Sequence, residues 1–157
     1  MSAPPLRGIY NFISFSPRLA TAGQPTEADL HSLAEAGFDV IINLALHDDP
    51  TYSLLDESKS VRCLGMEYVH IPVLFNRPTE TDLFAFFKAF EACRHKKVFI
   101  HCAANKRVSV FLALYRILKE GWPPDQALAA MNSFWEPDEI WQKFISTVLG
   151  IYHGRCC

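Results

Sequence analysis

Short apolar segments alternate along the chain with segments of mixed, helix-like polarity. Apolar segments at residues 19–22, 38–44, 67–73 and 97–101 have the length and the β-branched or aromatic composition of strands. The segment 38–44 is apolar at most positions, which is typical of a strand covered on both faces. No Gly/Ser linker or low-complexity tract interrupts the alternation. The pattern predicts an α/β fold with a short, mainly parallel central sheet flanked by helices.

Two helix starts are marked by a threonine followed three residues later by an aspartate. Thr26 with Asp29 opens a helix that ends at Gly37, and Thr79 with Asp82 opens a second, phenylalanine-rich helix. The phenylalanines of this second helix spread over more than one face, which indicates burial in the core. Further helices are predicted at residues 52–64, 108–119, 124–134 and 138–152.

Composition excludes several classes of protein. The 157 residues include 15 Lys and Arg and 17 Asp and Glu, for a formal net charge of −2, and half of them are hydrophobic. These values exclude a disordered chain, a fibrous repeat and a basic nucleic-acid binder. The length suits a single domain over residues 1–157. No apolar run approaches the roughly 20 residues of a membrane-spanning helix, and the first residues lack the apolar core of a secretion signal. We expect a cytoplasmic protein that binds neither membranes nor nucleic acid, and the sequence leaves its oligomeric state open.

Five cysteines occupy positions 63, 93, 102, 156 and 157, with no Cys-x-x-Cys pair among them. Their odd number and spacing predict neither a disulfide framework nor a zinc site, so we expect reduced thiols, no metal and no other cofactor. Cys156 and Cys157 lack the basic stretch or second signal that stable lipid anchoring needs, and we do not expect an anchor. Cys63 and Cys93 are interpreted as packing residues.

Cys102 has different surroundings, because it begins a six-residue turn between the strand 97–101 and a helix. Such a turn aims backbone N–H groups and the positive end of a helix dipole at one point, which favours binding of an anion. The same groups would stabilise a Cys102 thiolate and make it a nucleophile, although a buried structural thiol is the alternative. Arg107 at the end of the turn could hold two oxygens of a tetrahedral anion with its planar guanidinium. The residues expected to bind a phosphate are Ala103, Ala104, Asn105, Lys106, Val108 and Ser109.

The turn from His101-Cys102 to Arg107 resembles the signature loop of the cysteine-dependent protein tyrosine and dual-specificity phosphatases. The segments 22–44 and 68–73 resemble small bacterial phosphatase-like proteins that also occur fused to metallo-hydrolases of the beta-lactamase fold. The similarity runs from about residue 10 to about residue 120. It implies a dual-specificity-phosphatase-like fold, a phosphocysteine intermediate on Cys102 and an approximate match of Arg107 to the phosphate-binding arginine. The implied partner is a phosphorylated protein or a small phosphorylated substrate.

The loop departs from the phosphatase pattern in its length. Four residues separate Cys102 from Arg107, whereas the family has five, and an alignment without a gap places Val108 at the arginine position. Asn105 replaces a glycine of the family. A Cys-to-Arg loop of six residues also resembles that of rhodanese-like sulfurtransferases, which would carry a persulfide on Cys102. Phosphatase, sulfurtransferase and non-catalytic phosphate-binding module therefore stay open as interpretations.

The general acid of the family is not found at its usual place. The loop after the strand 67–73 begins Leu-Phe-Asn-Arg and carries no carboxylate, and Asp82 is expected to cap a helix. Asp48 and Asp49 follow the strand 38–44, at the edge of the sheet where the Cys102 loop should open. Asp48 is our preferred candidate for the acid, with a solvated turn as the alternative. His101 is expected to orient the loop by hydrogen bonding.

Overall fold

The computed structural model describes residues 6–133 and 135–153; Cys156 and Cys157 lie outside this part of the chain. Its strands are β1 (Ile13–Ser16), β2 (Leu19–Ala22), β3 (Val40–Asn43), β4 (Glu67–His70) and β5 (Val98–His101). Its α-helices are α1 (Glu27–Glu35), α2 (Glu57–Cys63), α3 (Glu80–Ala92), α4 (Lys106–Glu120), α5 (Pro124–Asn132) and α6 (Glu139–Val148). A 3-10 turn at Leu6–Gly8 precedes β1, and a π-helical turn at Leu149–His153 follows α6. None of the described helices is long and apolar enough to cross a bilayer.

The five strands form one mixed sheet in the order β1-β2-β5-β3-β4. Only the pair β1–β2 is antiparallel; β2, β5, β3 and β4 run parallel. In the parallel register, His101 lies beside Ala22 and Asn43, and Asn43 lies beside His70. The carboxyl ends of four strands therefore meet at one edge, and the predicted α/β fold with a short, mainly parallel sheet is confirmed.

Two apolar layers cover the sheet, which explains why its central strands are apolar at successive positions. Val40 and Ile42 of β3 belong to the cluster that includes residues of α3, α4 and α6, whereas Ile41 faces a second cluster that includes residues of α1 and α2. Val98 and Phe99 of β5 divide between the two clusters in the same way. Each residue of β3 and β5 is thus buried on one face or the other, as the run of apolar residues predicted.

Local signals set most of the boundaries. Thr26 and Thr79 cap α1 and α3 through their side chains, as predicted. The helix predicted over residues 52–64 begins only at Glu57, because Asp56 caps it and the preceding residues form turns. The strand predicted to residue 73 ends at His70, just before the proline at position 72. The antiparallel strand β1 was not predicted, since it is only four residues long and alternates between half-buried and exposed positions.

Candidate active site

Cys102 follows β5 directly and lies at the edge where the parallel strands end, one turn before α4. Its side chain is buried and borders a cavity of about 190 Å³. The residues that line this cavity are Phe75, Cys102, Ala103, Ala104, Lys106 and Arg107. The structure therefore brings the predicted nucleophile, the predicted arginine and three of the six residues predicted to bind phosphate, Ala103, Ala104 and Lys106, to one concave site; Asn105, Val108 and Ser109 do not line it.

The loop is fastened to the end of β2 by backbone contacts. Gln24 N–H donates to the Ala103 carbonyl oxygen at 3.0 Å, and Gly23 forms a β-bridge with Ala104. A Cβ atom at Gly23 would lie 2.6 Å from the Ala103 carbonyl oxygen and 2.7 Å from the Tyr10 ring. Glycine is needed at position 23 because the loop backbone approaches too closely for any side chain.

A pair of asparagines holds the middle of the loop. Asn105 stands at the start of α4 with a left-handed φ of 65°, and Asn11 has a φ of 52°. The Asn105 amide donates to the Asn11 carbonyl oxygen at 2.9 Å and to the Thr21 hydroxyl at 3.0 Å. The Asn11 amide donates in return to the Ala104 carbonyl oxygen at 3.0 Å. Asparagine tolerates the left-handed conformation and adds contacts that the glycine of the resembling family could not make.

Arg107, rather than Val108, presents its side chain to the cavity. Arg107 is only 4% exposed, and its Nη1 donates to the Val73 carbonyl oxygen at 2.8 Å. Its Cζ lies 5.7 Å from the Phe75 ring centre and 6.0 Å from the Tyr52 ring centre. The buried Nε has no hydrogen-bond partner within the described chain. Val108 packs fully buried in the core, so its predicted part in phosphate binding could rest on its backbone alone.

A buried acid–base pair lies beneath the loop. His101 Nε2 is 2.5 Å from Glu57 Oε2, and both side chains are almost completely buried. His101 Nδ1 donates to the Cys102 carbonyl oxygen at 3.1 Å, which is the expected hydrogen bond to the loop. Burial alone would raise the pKa of Glu57, but the charge and hydrogen bond of His101 lower it overall. Gln24 Nε2 also donates to Glu57 Oε1 at 2.8 Å.

Sequence reasoning missed Glu57 because an acidic residue in the first turn of a helix ordinarily complements the helix dipole. Glu57 has that position in α2, yet its partner lies 44 residues away. The usable signal was the adjacency of two carboxylates at residues 56 and 57, since only one of them is needed for the cap.

Ser109 contacts the helix and an aromatic wall. Its hydroxyl donates to the Lys106 carbonyl oxygen at 2.7 Å and accepts from Trp135 Nε1 at 3.1 Å. Lys106 Nζ lies 5.4 Å from the centre of the Trp135 ring, and Phe75 lies 5.9 Å from it. Trp135 thus connects the first turn of α4 to the Phe75 side of the cavity. The part of Ser109 in phosphate binding stays a prediction.

Comparison with known proteins decides the family. A family model described as "DSP-PTPase phosphatase fused to NAD+ Kinase" matches residues 14–143. The chain belongs to this family. It is also 31% identical over 108 residues to a Beta-lactamase hydrolase-like protein of Xylella fastidiosa, a match that covers 68% of this chain and 25% of that protein. The chain thus spans about a quarter of the length of this curated relative.

Solved structures have the same architecture. A DUF442 protein from Shewanella putrefaciens CN-32, assigned as a phosphatase, superposes with a TM-score of 0.84 at 34% identity and covers 94% of this chain and 96% of that one. The TpbA protein of P. aeruginosa, solved with phosphotyrosine, shares the fold with a TM-score of 0.73 at 19% identity, over 98% of this chain and 93% of that one. The dual-specificity-phosphatase-like fold that the loop resemblance implied is confirmed.

The carboxylates near the site divide into bound and exposed ones. Asp49 Oδ1 accepts from the Thr51 hydroxyl at 2.5 Å and from Thr51 N–H at 2.9 Å. These hydrogen bonds lower the pKa of Asp49, and the charge of Arg107 contributes. Asp48 is exposed in the same turn and borders a shallow groove with His47, outside the lining of the Cys102 cavity. Asp82 lies in the first turn of α3, where its N–H donates to the Thr79 hydroxyl.

No group of three or more His, Cys, Asp and Glu side chains within residues 6–133 and 135–153 is placed to hold a metal ion. The charge at the Cys102 cavity comes instead from Lys106, Arg107 and the start of α4. An anion of about phosphate size, with its charge spread over several oxygens, suits such a set of donors.

Proposed function

We propose that this protein is a phosphomonoester hydrolase that acts through a phosphocysteine intermediate on Cys102. The observation that carries the proposal is the cavity in which the Cys102 side chain, the Arg107 guanidinium and the start of α4 converge. The buried Arg107 Nε, without a partner among the described residues, is a donor that a phosphate oxygen would satisfy. Membership in a family of phosphatases supports the same chemistry.

In the first step the Cys102 thiolate attacks the phosphorus atom of the substrate. A phosphorus–sulfur bond forms, the bond to the leaving oxygen breaks, and that oxygen takes up a proton. The N–H groups of the loop and the Arg107 guanidinium donate to the non-bridging oxygens, where charge is concentrated in the transition state. Arg107 is held for this task by its bond to the Val73 carbonyl oxygen and by the rings of Tyr52 and Phe75.

In the second step a water molecule attacks the phosphocysteine. The phosphorus–sulfur bond breaks, inorganic phosphate forms, and the thiolate of Cys102 is regenerated with its electron pair. The same loop donors hold the oxygens in both steps, since the charge distribution around phosphorus is similar in each.

Asp48 is proposed as the group that protonates the leaving oxygen. It lies exposed on the turn whose Tyr52 flanks the Arg107 guanidinium. Its neighbour Asp49 is less suited, because the Thr51 hydrogen bonds lower its pKa and keep it ionised. The substrate is proposed to be a phosphorylated protein or a small phosphorylated molecule, and an aryl phosphate is the first class to test, since TpbA was solved with phosphotyrosine.

The decisive experiment is steady-state release of 4-nitrophenol from 4-nitrophenyl phosphate at mildly acidic pH. We expect turnover by the wild-type protein, none by Cys102→Ser, and a severe loss in Arg107→Ala. Hydrolysis by wild type at the rate of Cys102→Ser would overturn the proposal. Cyanolysis of thiosulfate that requires Cys102 would then indicate a sulfurtransferase, and vanadate binding without turnover would indicate a phosphate-binding module.

The role of Asp48 is tested by comparing 4-nitrophenyl with phenyl phosphate. A proton donor matters most for the more basic leaving group, so Asp48→Asn should lose more activity toward phenyl phosphate than toward 4-nitrophenyl phosphate. The matched control is Asp125→Asn, which changes an exposed carboxylate at the start of α5. Equal losses on both substrates would assign the proton to another donor.

A further inference from the structure

We propose that Glu57 is a positioning residue of the Cys102 loop, which holds His101 and Gln24 in place and so fixes the direction of the loop carbonyl groups. The proposal rests on the phosphatase function proposed above and deepens it. Glu57 touches neither the cavity nor the sulfur within the described contacts, and acts through His101 and Gln24.

The first argument is a count of protons. His101 Nδ1 faces the Cys102 carbonyl oxygen, which can only accept, so Nδ1 carries a hydrogen. His101 Nε2 lies 2.5 Å from Glu57 Oε2, a separation at which two acceptors without a hydrogen between them would repel. A proton therefore lies between Glu57 and His101 and joins the carboxyl group to the ring in one hydrogen bond. Burial of both side chains strengthens this pairing.

The second argument is that Glu57 reaches the loop by two routes. Through His101 it is linked to the Cys102 carbonyl oxygen. Through Gln24 it is linked to the next peptide group, because the Gln24 side chain donates to Glu57 and the Gln24 backbone N–H donates to the Ala103 carbonyl oxygen. A trans peptide directs its C=O and N–H to opposite sides. Two carbonyls drawn toward His101 and Gln24 leave the N–H groups of Ala103 and Ala104 directed away from them, on the side of the anion.

The groups that surround the pair keep the carboxylate charged. His47, in the loop after β3, lowers the pKa of Glu57 further. Tyr68 of β4 contacts His47 Nε2 at 2.6 Å and accepts from Asn43 Nδ2 at 3.0 Å. Burial raises the pKa of Tyr68 far above its ordinary value, so Tyr68 stays neutral beside Glu57.

Two further titratable groups complete this environment. Burial lowers the pKa of His70, while the charges of Glu57 and His101 act on that pKa in opposite directions. Asp56 precedes Glu57 in the chain, and its carboxylate accepts from Lys59 N–H at the helix cap. The proton shared between Glu57 and His101 is therefore surrounded mainly by neutral or already partnered groups.

The test uses Glu57→Gln, which preserves shape and hydrogen bonding but removes the charge. A glutamine can still accept from Gln24 and pair with His101 Nε2, but the hydrogen bond to His101 loses its charged partner and becomes weaker, so the loop is held less firmly. We expect the pH midpoint of the Cys102 thiolate absorbance, measured against Cys102→Ser, to rise by about half a unit or more. The acid limb of kcat/KM should move by the same amount. The control Glu91→Gln changes an exposed carboxylate of α3 and should leave both midpoints unchanged.

A second measurement needs no substitution at Glu57. Nitrogen NMR of histidine-labelled protein reports whether each ring nitrogen carries a hydrogen, and the His101→Gln spectrum identifies the His101 signals. We expect His101 Nδ1 to carry a hydrogen, as its contact with the Cys102 carbonyl oxygen requires. A His101 Nδ1 without a bound hydrogen, or a folded Glu57→Gln with an unshifted thiolate midpoint, would overturn the proposal.

These readouts separate the two proposals from each other. Thiolate absorbance and histidine NMR require no turnover, so a shifted midpoint in a protein that hydrolyses no phosphate would support Glu57 and overturn the phosphatase function. Cys102-dependent hydrolysis together with an unshifted midpoint would do the reverse.

Discussion

The Cys102 loop has two unlike flanks. On the fastened flank, formed by Asn11, Thr21, Gly23 and Gln24, backbone and amide groups bind the loop through a dense set of hydrogen bonds. The aromatic flank is formed by Tyr52, Phe75 and Trp135. Phe75 lines the cavity, Tyr52 lies beside Arg107, and Trp135 lies beside Phe75 and Lys106. Two hydrogen bonds accompany these ring contacts, from Arg107 to Val73 and from Trp135 to Ser109.

The difference separates two tasks of the site. Hydrogen bonds depend steeply on angle and distance, so the fastened flank fixes the positions of the loop N–H groups. Ring contacts depend weakly on angle, so the aromatic flank can shape the entrance without fixing the loop backbone. Changes on the fastened flank should therefore lower kcat and stability, and changes on the aromatic flank should act mainly on KM.

The largest expected effect is at Arg107, which extends from the loop into the aromatic flank. Arg107→Lys keeps the charge but loses the planar donor set and its fit between two rings. We expect kcat/KM for 4-nitrophenyl phosphate to fall by about 10²–10³-fold. Arg62→Lys, at an exposed position of α2, is the control and should retain full activity. Near wild-type activity of Arg107→Lys would mean that the short loop does not use the guanidinium.

Gly23→Ala disrupts the contact between the fastened flank and the Cys102 loop most directly. The added methyl group would meet the Ala103 carbonyl oxygen, so the loop must move away from β2. A displacement of this kind costs roughly 10²-fold in kcat by misplacing the phosphate donors. The comparison is Gly8→Ala, where a Cβ meets nothing within 4 Å and we expect no change. Vanadate affinity, measured in parallel, should fall with kcat.

Asn105→Ala tests the stability that the fastened flank contributes. The variant keeps a left-handed φ that alanine disfavours and loses the hydrogen bonds to Asn11 and Thr21. We expect the free energy of unfolding, from urea titration, to fall by about 2 kcal/mol. Asn105→Gly loses the same bonds without the backbone strain, so it should be the more stable of the two. The opposite order would contradict the assigned conformation.

Trp135→Phe tests whether the aromatic flank acts on KM rather than on kcat. The variant keeps a ring beside Phe75 and Lys106 but removes the N–H that donates to Ser109. The loss of one hydrogen bond should raise KM by roughly fivefold with little change in kcat. Trp122→Phe, whose ring stacks on Arg116 elsewhere on α4, should leave KM unchanged. A fall in kcat larger than the rise in KM would show that the aromatic flank also fixes the loop.

The smallest effect concerns pH. Burial holds the pKa of folded His70 below its ordinary value of 6.5, so the unfolded chain binds a proton first as the pH falls. The contribution of His70 to the free energy of unfolding is therefore complete above pH 6.5 and is lost as the pH falls toward the pKa of the folded state. We expect the urea midpoint to drop on mild acidification, and to drop less in His70→Gln. His31→Gln, an exposed histidine of α1, should follow wild type.

Prediction from the sequence was most accurate where the signal is local. The caps at Thr26 and Thr79 and the doubly covered strands were predicted from residues a few positions apart. The proximity of Cys102 and Arg107 also followed, because one six-residue turn holds both. The turn at residues 49–53 was less accessible, since it depends on the Ser53 hydroxyl reaching the Leu46 carbonyl oxygen.

The sequence by itself determined the α/β fold, the strand-to-helix loop and the presence of a cysteine and an arginine in that loop. The tertiary structure decided which way that loop faces. Asn105 meets Asn11 across 94 residues, and His101 meets Glu57 across 44. Local patterns carry no information on such pairs, because they arise only when β2, β3 and β5 align in register and bring distant loops to one edge of the sheet.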